Sequence, residues 1–437
     1  MRQGNFFLRT FFSLEEPQFR LMWFGTLFSF LGMQMQVIAR GYLAYDLTGK
    51  NTALGGVMLA FGVPQLLLGL WGGVVADRLP KRTVLWVSQT VVAANSAWIA
   101  LMLGLDMLEY WMLIVAGVVQ GAGFAFIGPA RQAFIGDLVG REALGNAVVL
   151  QQLSMNSTRV IGPSIAGFLI AMPFVGAAGV YLLTTLGFCV AMGALFWLPA
   201  GNPKPGATEK SPLADLRDGV RYVLGRRAIL LLILSSFALV MVGFPYQSFT
   251  ASLAKSVYGE GSGGLGLLSS VAAVGAVAAT LVVAMMAGSK RAWAVQAISG
   301  AGFGVGLIAL GMTDTLLTGM VVMIFVGAAA SAFQAMNNSL TMQLTEGNYH
   351  GRVQALNMMS WSLFGLASLP LGILADHIGL QDTLMVMGAI CVAAMVILEV
   401  TGRLVHVSED RERRSTPRRR EAPADAATAP VGGGGAR

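Results

Sequence analysis

The chain has 437 residues, of which 55% are hydrophobic and only 12% charged, and its mean hydropathy is +0.67. Soluble domains carry about a quarter charged residues, so this composition excludes a soluble globular protein. A spanning helix needs roughly 20 mostly apolar residues, which leaves room for about a dozen spans.

Residues 1–19 carry Arg2 and Arg9 among aromatics, without a short apolar core followed by a small-residue cleavage site. They are expected to be retained as an amphipathic cytoplasmic segment. Apolar runs bounded by charged and turn residues follow at about 20–44, 52–76, 83–104, 110–136, 144–172, 177–198, 228–253, 263–287, 291–312, 315–343, 353–376 and 382–403. They predict an all-α integral membrane protein of twelve transmembrane helices, with six-helix bundles over 20–198 and 228–403. Between the bundles, 199–227 is a polar cytoplasmic linker with Pro203, Pro205 and Pro212. In it Leu213, Leu216, Val220 and Val223 recur at helical spacing, which predicts a surface helix. Residues 404–437 become charged and then rich in Ala, Pro and Gly, a composition expected to be disordered. The run Arg418-Arg419-Arg420 is either solvated or in contact with anionic lipid.

Of the 29 Lys and Arg residues, all but Arg40, Lys50, Arg159 and Lys255 fall in segments that share a side with the N-terminus. Lys and Arg collect in cytoplasmic loops, so both termini are expected inside a bacterial inner membrane. This bias accounts for the net charge of +7 without a nucleic-acid partner. The halves echo each other at one constant offset: Leu54-Gly55 recurs as Leu265-Gly266, and Arg141 with Asn146 recurs as Arg352 with Asn357. A duplication into two pseudo-symmetric bundles follows. Cys189 and Cys391 lie in apolar runs, as small buried hydrophobes do. His350, His377 and His406 share no ligand-like spacing, and neither a catalytic cluster nor a nucleotide-binding loop stands out. No metal, cofactor or enzymatic activity is expected.

Between the second and third runs stands Gly72-Gly73-Val74-Val75-Ala76-Asp77-Arg78-Leu79-Pro80-Lys81-Arg82. Topology alone explains the basic residues, but not a carboxylate beside them. This segment resembles the inner-loop signature of the major facilitator superfamily. Further on come Pro129-Ala130-Arg131-Gln132, Asp137-Leu138-Val139, Arg141-Glu142, Asn146, Asn156, Arg159 and Gly162-Pro163 with Gly167. With Leu47-Thr48-Gly49, that series is similar to the branch of the superfamily containing the enterobactin exporter and macrolide and multidrug efflux proteins. The resemblance implies alternating access and a monomer, with Gly73, Asp77, Arg78, Lys81 and Arg82 tuning an inner gate and protons as coupling ion. It also implies an antiporter motif at Gly162, Pro163 and Gly167, for which tight helix packing is the competing reading.

An ionisable residue inside the membrane is costly and points to function. On the fifth run Gln152, Asn156 and Arg159 share one helical face, a polar stripe expected either to line the cavity or to hold Arg159 in a structural clamp. Gln36 and Arg40 share a face of the first run, where Arg40 has the alternative of snorkelling. Gln334, Asn337, Asn338 and Asn357 either contact substrate or join helix to helix. Asp46, Asp137, Asp376 and Glu399 fall near span ends, from which Asp137 or Glu399 could reach a hydrated vestibule. Trp23, Trp86, Trp98, Trp111, Trp197 and Trp361 read as an interfacial belt, with ligand stacking as the alternative. The expected substrate is a small amphipathic molecule, a drug or siderophore, moved outward through the lipid bilayer. Transport of lysophospholipid or another lipid, and uptake, are the rivals.

Overall fold

The computed structural model of the chain describes residues 12–201, 212–286, 291–346 and 349–415. Among them the regular structure is helical, and the helices follow the predicted runs closely. The first bundle contains α1 (Pro17–Thr48), α2 (Asn51–Arg78), α3 (Lys81–Gly104), α4 (Tyr110–Leu138), α5 (Arg141–Ala171) and α6 (Gly176–Phe196). A short α7 (Pro212–Leu224) precedes α8 (Arg227–Ala238), α9 (Tyr246–Ser252), α10 (Gly261–Met286), α11 (Ala292–Gly311), α12 (Leu316–Leu344), α13 (His350–Ile378) and α14 (Leu380–Ser415). The punctuation is local. Pro17 opens α1, and Gly49, at φ 66°, closes it by donating its N–H to the Tyr45 carbonyl.

Eleven segments are long and apolar enough to cross a membrane, with Arg227–Val257 counting as one. The twelfth expected span is α5, whose 31 residues are long enough but whose polar residues dilute its hydropathy. It packs between α1 and α10, so that polarity is turned toward protein. The seventh run differs from its expected form. It is interrupted by two wide turns, in which Phe244 N–H reaches back to Leu239 O at 3.0 Å and Tyr258 N–H to Leu253 O at 3.2 Å. Pro245 has no N–H to continue the regular ladder, and at Gly243 the ring of Phe303 and the Cys391 sulfur leave no room for a side chain. The last helix also runs on to Ser415, past the expected end of its span at 403. The remainder of the expected tail, residues 416–437, lies outside the described residues, as do 1–11 and linker residues 202–211.

Two seams join the bundles, α2 against α13 and α5 against α10, and exchanging the halves converts one into the other. Each is built on backbone-to-backbone approach. A Cβ on Gly55 would collide with the Ser368 carbonyl, and one on Gly266 would lie 2.8 Å from the Gly167 carbonyl. Gly55 and Gly266 are partners in the sequence repeat. Inside the bundles the corresponding helix pairs are tied at non-equivalent residues: Arg131 of α4 donates to Ser29 Oγ of α1 at 3.2 Å, and Ser235 Oγ of α8 donates to Asn337 Oδ1 of α12 at 3.1 Å.

The linker helix α7 docks on protein as well as covering a surface. Tyr222 stacks on Tyr349 with centroids 3.9 Å apart, and Val223 is buried among Ile229, Ile233 and Val353. Arg226 pairs with Glu346 at 2.5 Å, and that hydrogen bond pushes its guanidinium further up, keeping the cation fixed.

Candidate functional site

The bundle has two ends, one bearing Lys50 and Lys255 and one bearing Lys81. At the Lys81 end, the turn between α2 and α3 is held within the first bundle. Lys81 is buried and forms an ion pair with Asp137 of α4 at 2.7 Å, while Arg82 donates to the Leu198 carbonyl at 2.8 Å. Their backbone N–H groups bond to Gly201 and Ala200. Asp77 and Arg78, by contrast, are exposed. Gly73 faces open space; it is Gly72 that lies against the Ala125 carbonyl of α4, where a side chain would not fit.

At the Lys50 end the two bundles are latched. The Asp376 carboxylate of α13 accepts from the N–H groups of Asn51 (2.7 Å) and Thr52 (2.8 Å) and from the Thr52 hydroxyl (2.5 Å). It therefore caps the N-terminus of α2, a helix of the other half, where the helix dipole favours an anion. Lys255 reaches Asp46 across the same divide at 2.5 Å. Ser164 of α5 donates to the Ser269 carbonyl of α10 at 2.9 Å. The fifth-helix motif serves both neighbours: Gly162 is pressed against Gln34 of α1, Gly167 against Gly266 of α10, and Pro163 sits between them.

Between the halves, Arg159 of α5 stands over the ring of Trp361 on α13, 4.0 Å from the centroid. Trp361 is therefore a mid-helix residue facing the other bundle, outside the expected interfacial belt. Behind it Phe244 packs edge-on at 5.1 Å and Phe303 lies 5.3 Å beyond, with Tyr246 against Phe303 at 5.7 Å. Gln152 lies two turns from Arg159 on the same face of α5 and is partly accessible, as is Gln354 two turns from Trp361 on α13. The Asn156 side chain lies outside those described.

The other polar candidates are used inside their own bundles. Gln36 donates to Ser96 at 2.5 Å and accepts from Gln120, joining α1, α3 and α4. Asn337 accepts from Ser235 and from Gln296 (3.2 Å), joining α8, α11 and α12. Asn357 accepts from Ser236 at 2.8 Å and donates to Asn338 at 3.4 Å. Gln334 is only partly buried, with its carbonyl oxygen unbonded among the described residues. Arg40 is 2% exposed, 6.0 Å from the centroid of Phe61, so it does not snorkel to the surface.

This arrangement of two helical halves meeting at exchangeable seams agrees with what related proteins are. Residues 9–430 match the family described as transmembrane secretion effector, of the major facilitator type. The chain belongs to that family. The staphyloferrin A transporter of Staphylococcus aureus is 25% identical over 371 residues, covering 83% of this chain and 91% of that protein. The enterobactin exporter EntS of Citrobacter koseri is 23% identical over 362 residues, covering 82% and 84%. Among solved structures, a bacterial homologue of the human lysosomal transporter Spinster superposes with a TM-score of 0.70 at 14% identity, over 92% of this chain and 98% of that one.

In this major facilitator transporter, sequence reasoning missed the latch and the buried Arg131. Asp376, Asp46 and Lys255 read as ordinary boundary charges, and only the pairing of distant helices reveals them. Arg131 counts in the sequence among the inward-side charges near the end of the 110–136 run, yet it is 4% exposed, 4.7 Å above the Phe30 ring. The signal for it was present: the α4 pattern continues to Leu138, a full two turns beyond the arginine.

Proposed function

We propose that this transporter exports a small amphipathic molecule by alternating access, using the proton gradient across a bacterial inner membrane, with both termini in the cytoplasm. The observation that carries the reading is the asymmetry of the two ends. At the Lys50 end Asp376 and the Lys255–Asp46 pair bind one half to the other, whereas Asp77 and Arg78 at the Lys81 end are exposed. The concentration of Lys and Arg places the Lys81 end in the cytoplasm. A molecule closed at the opposite end is then open to the cytoplasm, the state in which an exporter loads. Names of relatives that move siderophores, one of them an exporter, support the direction and a substrate of that size.

The test is accumulation of amphipathic dyes, antibiotics and a labelled siderophore in efflux-deficient cells with and without the protein, before and after an uncoupler. Lowered accumulation that the uncoupler abolishes is the expected result. Raised accumulation would overturn export in favour of uptake, and lowered accumulation insensitive to the uncoupler would overturn proton coupling.

A further inference from the structure

We infer that the contact between the halves at Arg159 selects organic anions, with the Arg159 guanidinium as the acid-binding group and the partly accessible ring of Trp361 as the seat for the apolar part. The inference rests on the transporter reading above and names the substrate class of that site.

Three arginines are embedded in the first bundle: Arg40, Arg131 and Arg159. Among the described residues none of the three is within ion-pair distance of a carboxylate. A cation held in the membrane without a counter-ion is expensive, and such residues as a rule face a partner or a water-filled cavity. Arg40 and Arg131 are 2% and 4% exposed, closed in by Phe61 and Phe30, and out of reach of a ligand. Their charge nevertheless adds to the positive potential of the bundle, which a low-dielectric surrounding screens poorly.

Arg159 differs from both. It is partly accessible, and it faces the opposite half of the molecule. Its charge is met by the face of Trp361, a weaker partner for a guanidinium than an acid. A guanidinium carries five N–H donors in a planar fork, and among the described residues none of them meets an acceptor. A carboxylate or comparable acid would engage that fork in the plane while the ring stays stacked against its face. The ring of Trp361, braced from behind by the buried Phe244, extends beyond the cation, so a ligand with an acid at one end and an apolar or aromatic body fits both parts. An amphipathic cation would meet the same ring but also an uncompensated positive charge.

Two xanthene dyes of nearly the same shape test this. Fluorescein is an anion at neutral pH, and tetramethylrhodamine methyl ester is a cation. Binding of each to the purified full-length protein in nanodiscs is read by fluorescence anisotropy, with empty nanodiscs subtracted. Fluorescein should bind at least about tenfold more tightly, as one or two charge-assisted hydrogen bonds would give. Arg159→Gln should abolish that preference, and Arg159→Lys should retain part of it, keeping the charge but losing the fork. Equal or tighter binding of the cation, binding of neither dye, or a preference that survives in Arg159→Gln would overturn the inference. The wild-type comparison remains decisive if Arg159→Gln fails to insert. Because anisotropy needs neither a gradient nor a direction, a failure of export in cells leaves this result standing, and the reverse holds too.

Discussion

The Lys81–Asp137 pair shows how a signature read as a gate also carries stability. Both side chains are largely withdrawn from solvent, at 7% and 14% exposure. Removing one partner of a buried pair leaves the other charge uncompensated, at a cost of about 3 kcal/mol. Lys81→Ala should therefore lower the melting temperature in detergent more than Lys81→Ala combined with Asp137→Ala, a non-additivity expected of groups in contact. Additive losses would place the worth of Lys81 in its bond to the Gly201 carbonyl instead. At the other end, Asp376 acts through geometry that no local sequence pattern announces. Replacing it by Ala removes the cap of α2 and all three of its bonds. Loss of a cap costs about 1 kcal/mol, which shifts a two-state equilibrium roughly fivefold. Spin labels at Lys50→Cys and Asp382→Cys, one on each half, should report a larger population of the longer distance in Asp376→Ala.

Among the helices, the seams were half legible. The recurrence of Leu-Gly at Leu54-Gly55 and Leu265-Gly266 marks the repeat, but only packing shows that both glycines face the opposite bundle. Gly266→Leu should abolish transport while the protein still inserts, because the new side chain meets the Gly167 backbone. Gly193→Leu on α6, where a Cβ meets nothing within 4 Å, should leave transport intact. Both are measured as efflux normalised to the amount of protein in the membrane. Helix existence and extent were readable because lipid demands long apolar runs, each ended by charge or by Gly and Pro. The interruption around Gly243 and Pro245 was not read, because a wide turn leaves the apolar run unbroken and the periodicity nearly so. Nor could the role of each amide be read. Gln36 and Asn337 are buried glue, Arg159 faces the opposite half, and in a one-dimensional pattern all three are polar residues in an apolar stretch.

In the alternating-access reading proposed above, the two ends of the molecule close in turn. With the Lys50 end latched, the Lys81 ends of α2 and α13 are free of the constraint that holds Asn51 to Asp376, and Asp77 is left exposed. Under that proposal, rocking the halves about the paired seams releases the Asp376 cap and brings the Lys81 ends together. In that proposed second state Asp77, at the end of α2, would meet the start of α13, the helix that pairs with α2 along the seam. A carboxylate is favoured there for the same reason that Asp376 is favoured at the start of α2, the positive end of the helix dipole. On this proposal the two acids act at opposite ends of one helix, each stabilising one state. Asp77→Asn should slow transport, leave membrane insertion and the dye preference unchanged, and enrich the state closed at the Lys50 end, the reverse of the shift in Asp376→Ala. The same pair of spin labels measures it: a gain of the shorter distance is expected, and wild-type transport with an unshifted distribution would remove Asp77 from the gate.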